Sequence, residues 1–191
     1  SEYYSGMFGI MYNFYVGCFS TLIGLTPILF KVLIKGKYYD AYYQMPILFF
    51  GVFFNCLTAY LGGIYIAHKR TRSVGVTTVV AAAINLIIDI AFVNKIGIYA
   101  ASLSTLISYL LLFIFRMVDV RKIVYIRINY KQVVGLLLIL IAESIACYLQ
   151  NSILDGINLV FRCCMLIVLN RNMIVQLAKS ILHRRQKVGI R

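Results

Sequence analysis

"AYYQMPILFFGVFFNCLTAYLGGIYIA", Ala41 to Ala67, contains no charged side chain. A helix rises about 1.5 Å per residue and a bilayer's hydrocarbon core is about 30 Å thick, so an uncharged run of this length is enough to cross a membrane. The neighbouring runs read the same way. Tyr3 to Phe30 carries no charge, Ser73 to Ile88 is uncharged up to Asp89, and Ile96 to Phe115 follows the Asn94-Lys95 break. Gln132 to Gln150 and Ile153 to Asn170 are interrupted by Glu143 and Arg162, yet the flanking residues remain apolar enough for a span.

The fold class expected is therefore all-α, a polytopic membrane protein with six transmembrane helices at about 7–34, 45–68, 73–93, 97–118, 132–150 and 153–170. Residues 1–170 form the bundle and 171–191 a basic tail. Composition agrees: apolar residues make up 62% and charged residues 13% of the chain, against roughly 45–50% and about 25% in soluble domains. A soluble helical bundle would need polar outer faces at helical spacing, which the first four segments lack.

Loop charge orients the bundle. The turn at Lys69, Arg70 and Arg72, the stretch from Arg116 to Lys131 and the tail after Asn170 hold fourteen basic residues, whereas Lys31, Lys35, Lys37 and Lys95 are the four on the alternate side. Basic loops stay cytoplasmic, so both termini are expected there. The net charge of +13 is then a topology signal that also suits an anionic leaflet. It flanks spans instead of forming a basic stripe with stacking aromatics, so no nucleic-acid partner is expected. The chain opens "SEYYSGMFG" without Met and runs straight into a span, the pattern of a piece of a longer polypeptide and not of a signal peptide.

All five cysteines (Cys18, Cys56, Cys147, Cys163 and Cys164) fall in expected spans and read as packing residues, not as a zinc site or a disulfide framework. His68 and His183 lack metal-ligand spacing. No phosphate loop, nucleophile elbow or carboxylate pair is present, so no enzyme activity, cofactor or metal is expected.

Small and polar residues recur at helical spacing instead. Asn13, Gly17, Thr21 and Gly24 share a face, as do Gly51, Asn55, Ala59 and Gly62; so do Thr78, Ala82, Asn85 and Asp89, and Gly97, Ala101, Thr105 and Ser108. Such stripes let backbones approach closely in lipid, and their Asn residues can hydrogen-bond across the interface. They also suit a polar path. Pro27 should kink the first helix, while Pro46 suits a helix start.

Asp89 sits inside an otherwise apolar run. A charge at depth costs about 2.5–3.5 kcal/mol on insertion scales, so it should face protein or water. Two readings stay open: a carboxyl hydrogen-bonded to a neighbouring helix near the outer interface, or a polar cavity wall or proton-coupling site. Glu143 and Arg162 raise the same question together. If the last two spans form a hairpin turning at Asn151 and Ser152, the two charges differ in depth by about 3 Å. A salt bridge between them is expected near the midplane. The path candidates are thus Asn55, Asn85, Asp89, Glu143 and Arg162. In the tail, Ile174, Leu177, Ala178, Ile181 and Leu182 form an apolar face opposite Lys179, Arg184, Arg185 and Lys187, as in a helix lying in the cytoplasmic interface.

The run from Gly36 to Phe113 also resembles the C-terminal half of polysaccharide flippases of the O-antigen and capsule type, within the multidrug, oligosaccharidyl-lipid and polysaccharide exporter superfamily, and the resemblance covers roughly Met7 to Phe115 and the last helix pair only loosely. The resemblance rests on Tyr38, Tyr39 and Ala41, on the Pro46 to Leu48 helix start, on the basic turn at Lys69 to Arg72, and on Ile84 to Leu86. A Gly-Ile turn with small residues (Gly97, Ile98, Ala100, Ala101) and a Ser/Thr-rich helix follow. Ala100 stands where the family usually has a second Gly, and Asp89 where it more often has Asn. The resemblance implies two helical bundles around a cavity in a bacterial inner membrane. It implies alternating access that moves a polyprenyl-diphosphate-linked oligosaccharide to the outer leaflet for cell-surface polysaccharide synthesis. The partners implied are membrane lipid, that substrate and an N-terminal bundle of the same polypeptide. A drug or cation antiporter of the same superfamily and a non-transporting membrane assembly protein are the competing readings; acidic residues converging on one cavity would favour the antiporter, cationic ones the flippase.

Overall fold

The structure, a computed structural model, describes residues 2–33 and 37–148 together with Cys164, Val168, Asn170 and Arg171. Among these residues the protein is all-helical: α1 (Glu2–Leu33), a 3-10 helix (Lys37–Gln44), α2 (Met45–Ala67), α3 (Thr71–Ile96), α4 (Tyr99–Val120) and α5 (Tyr130–Tyr148). The runs Glu2–Phe30, Ala41–Ala67, Thr71–Ile96 and Tyr99–Val120 are long and apolar enough to cross a membrane. The fifth expected span is helical. Apart from Cys164, Val168, Asn170 and Arg171, the sixth span and the tail lie outside the described residues, as does Arg162 and with it the expected Glu143–Arg162 pair.

The helices end where backbone chemistry ends them. At the close of α2 the amide of Lys69 bonds to the Ile66 carbonyl at 3.0 Å and that of Arg70 to the Tyr65 carbonyl at 2.8 Å. This is the paired bonding of a left-handed helix stop, and Lys69 takes the required positive φ of 58°. Gly97 closes α3 with φ 56° and ψ −133°, a conformation open to glycine and costly for any residue with a Cβ. Pro46 stands in the first turn of α2, where its missing N–H costs nothing. The helix α1 continues through Pro27 to Leu33.

Packing runs in a chain of neighbours. α3 lies on α4, α4 on α2, α2 on α1, and α1 on α5. Phe53, Leu57, Leu61 and Tyr65 recur every four residues on α2 and are essentially inaccessible. They meet α1 through aromatic contacts: Tyr12 lies 5.7 Å and Phe19 5.8 Å from Phe53, both edge-on, the geometry ring quadrupoles favour. Tyr12 also donates to the Val133 carbonyl at 2.7 Å, tying α5 to α1. The helix α3 is different. Ala81 is its one fully buried residue, while Val79, Leu86, Ile87 and Ile90 are exposed. An apolar helix left this bare is matched to lipid or to further helices.

Candidate functional site

Thr58 of α2 and Ser102, Ser108 and Arg116 of α4 are buried polar residues along the seam that these two helices form with each other and with α3. Gly51 of α2 sits against α4 so closely that an added Cβ would lie 3.1 Å from Thr105 Cγ2 and 3.3 Å from the Leu106 amide nitrogen. That is the small-residue contact expected of the α2 and α4 stripes. The same Thr105 side chain also meets α3: Asn85 donates from Nδ2 to Thr105 Oγ1 at 3.3 Å and Ser108 Oγ at 3.2 Å. Ser102 donates to Gln44 Oε1 at 3.2 Å, holding α4 to the end of the 3-10 helix. A recess of about 260 Å³ opens beside Asn85, with Thr78, Ala82, Ser108 and Tyr109 in its walls.

One turn and more along the seam lies Arg116, which the charge pattern grouped with the loop cations. It is inside α4 and only 3% exposed. Its Nε donates to Thr77 Oγ1 at 3.1 Å and its Nη1 to the Thr58 carbonyl at 3.0 Å. Its Nη2 donates to the Val74 carbonyl at 3.0 Å, Thr77 Oγ1 at 2.9 Å and Thr78 Oγ1 at 2.7 Å. The guanidinium thus clamps α2, α3 and α4, using the planar fork that distinguishes Arg from Lys. No carboxylate among the described residues pairs with it. The nearby acid on its own helix, Asp119, accepts instead from Tyr65 at 2.8 Å and pairs with Lys122 at 3.2 Å.

The expected path residues do not all converge here. Asn85 does. Asp89, one turn further on α3, is half-buried and makes no hydrogen bond or ion pair among the described residues, so the reading of a carboxyl bonded to a neighbouring helix finds no partner there. Asn55 is half-buried on α2; its backbone carbonyl accepts from Thr58 Oγ1 at 2.7 Å, and its side chain has no hydrogen bond among the described residues. Glu143 lies on α5, across α1 from the seam, with both carboxyl oxygens screened from solvent. Sequence reasoning missed Arg116, Thr77 and Thr58. The signal was an Arg directly after the uncharged run Ile96 to Phe115 yet still within the expected span 97–118, preceded by hydroxyls at Thr77 and Thr78 on the span before it.

These features define an all-α protein whose four long apolar helices mark it as a membrane protein, with a polar seam through three of them. No protein-family model, curated protein or solved structure matches the chain.

Proposed function

We propose that this chain belongs to a flippase of the bacterial inner membrane. It carries a polyprenyl-diphosphate-linked oligosaccharide to the outer leaflet by alternating access, with six spans and both termini cytoplasmic. The observation that carries the reading is Arg116: a buried cation held by hydroxyls and carbonyls, with no carboxylate among the described residues to cancel it. In a low-dielectric seam such a charge acts over a longer range than in water. It lies near the Lys69–Arg72 turn, the end that loop charge assigns to the cytoplasm, where a diphosphate would enter. Each of its three guanidinium nitrogens already has a partner and the side chain is buried, so it attracts through its field and not as a direct ligand, while Asn85 and Ser108 supply hydrogen-bonding walls.

A cation antiporter needs acids converging on one cavity. Among the described residues Asp89 on α3 and Glu143 on α5 stand on opposite sides of the bundle. This disfavours it.

The test uses the whole polypeptide that contains this chain, reconstituted in vesicles with a fluorescent polyprenyl-diphosphate oligosaccharide. The labelled head should cross to the opposite leaflet, and Arg116→Met should slow it at least tenfold while the protein stays folded. Folded protein that moves no such lipid would overturn transport and leave the assembly reading. Full activity in Arg116→Met would remove the cation from the mechanism.

A further inference from the structure

A second groove lies between α3 and α4, on the face away from the recess beside Asn85. It encloses about 600 Å³, and its walls include Val76, Val80, Ile84, Leu111, Phe115 and Val118. The two hydroxyls bordering it are already committed. Thr77 Oγ1 donates to the Ser73 carbonyl at 2.8 Å and accepts from Arg116, and Ser108 Oγ donates to the Thr105 carbonyl at 3.0 Å and accepts from Asn85. The groove therefore offers no free polar atom to water and suits hydrocarbon.

Its length and mouth narrow the occupant. From Val76 to Ile84 the groove runs about 12 Å along α3, and from Ser108 to Val118 about 15 Å along α4. That is the depth of one leaflet of a hydrocarbon core about 30 Å thick. On α3 the wall residues Val76, Val80 and Ile84 continue a four-residue stripe whose preceding member is Arg72. Arg72 is exposed and makes no hydrogen bond or ion pair among the described residues. It stands in the first turn of α3, where there is no acidic residue and no side-chain cap, so the positive end of the helix is open. Lys69 and Arg70 immediately precede it.

We infer that this groove binds an anionic glycerophospholipid of the adjoining leaflet. One acyl chain lies between α3 and α4, and the phosphate sits on Arg72 and the first turn of α3. The lipid fills a surface that the described residues leave open and fastens the α3–α4 pair to one leaflet. The inference rests on α3 and α4 spanning a membrane, as in the reading above, but not on transport.

The chain contains no Trp, so an introduced one reports its own surroundings. Val80→Trp places an indole in the groove, and Val79→Trp places one at equal depth on a face 69% exposed and outside it. Each variant of the full chain is reconstituted in phosphatidylcholine vesicles containing either brominated phosphatidylglycerol or, at the same mole fraction, brominated phosphatidylcholine. Quenching at Val80→Trp should be at least twofold stronger with the anionic lipid, and Arg72→Gln should abolish the preference. Val79→Trp should be quenched equally by both. Equal quenching of Val80→Trp by the two lipids would overturn the headgroup assignment. No quenching there, with Val79→Trp quenched, would show the groove filled by protein and overturn the lipid site. If neither position is quenched, the membrane placement of α3 fails and the lipid site with it.

Discussion

Arg116 is held by groups that do not need it. The Thr58 and Val74 carbonyls lie within helices, where a carbonyl has an intrahelical partner and a second lone pair to spare. The Thr77 and Thr78 hydroxyls donate back to their own helix at 2.8 Å, to the Ser73 and Val74 carbonyls. Removing the cation strands none of these acceptors. Replacing a buried charge with an apolar side chain of similar volume is commonly neutral or stabilising. Arg116→Met should therefore alter stability by less than about 1 kcal/mol. Arg116→Lys is the more damaging change, because an ammonium keeps the desolvation cost but cannot span acceptors on α2 and α3 at once. A loss of about 2 kcal/mol is expected. Thermal unfolding of both variants in detergent checks the order, and a Lys variant as stable as the Met variant would show that the clamp's geometry is unimportant. A residue that stability does not require, buried at a cost, is what a functional charge looks like.

The pairing of helices depends on where a Cβ can fit. Gly51 faces the backbone of Leu106, which cannot rotate away, so Gly51→Ala must part α2 from α4 and should cost about 1–3 kcal/mol. Gly63, on the same helix, has open space at its Cβ position. Gly63→Ala should leave packing intact and gain up to about 1 kcal/mol of helix propensity. Comparing the two melting temperatures separates close approach from propensity, and a stabilised Gly51→Ala would contradict the contact. Gly97 also has open space, yet Gly97→Ala should lose about 1–3 kcal/mol through its φ of 56° alone. The helices themselves were legible because uncharged length is a local property. Their ends were less so: α3 was expected over 73–93 but starts at Thr71 and passes Asn94 and Lys95 to Ile96. Hydropathy marks the limit of hydrocarbon, whereas a helix continues until its backbone bonding is broken, here at Gly97. Of the candidate site, the Asn85 stripe was readable from spacing. The Arg116 clamp was not, because it joins residues 38 to 58 positions apart and was masked by the run of loop charges that follows it.

Across the whole molecule the unusual element is α3, bare on most of its surface yet carrying Asp89, an acid well inside the helix with neither a hydrogen bond nor an ion pair among the described residues. At about 1.5 Å per residue, the 26 residues of α3 measure about 39 Å, some 9 Å more than the hydrocarbon core. If the excess is shared between its ends, Asp89, seven residues before the C-terminal Ile96, lies about 6 Å inside the boundary. A side chain there still needs water or protein around its charge. The described helices supply only half-burial, so the remaining contact must come from a hydrated cavity, from headgroup water or from residues outside α1 to α5. Asp89→Asn should leave thermal stability within about 0.5 kcal/mol, since no partner among α1 to α5 is lost. If the chain moves a lipid-linked oligosaccharide as proposed and Asp89 lines its path, the same change should lower the translocation rate at least fivefold. Measured in the whole polypeptide, the two readouts separate the readings that the sequence left open. A large fall in melting temperature would mean that Asp89 is clamped to a helix beyond α5. Unchanged stability with unchanged transport would place it outside the path, facing headgroup water.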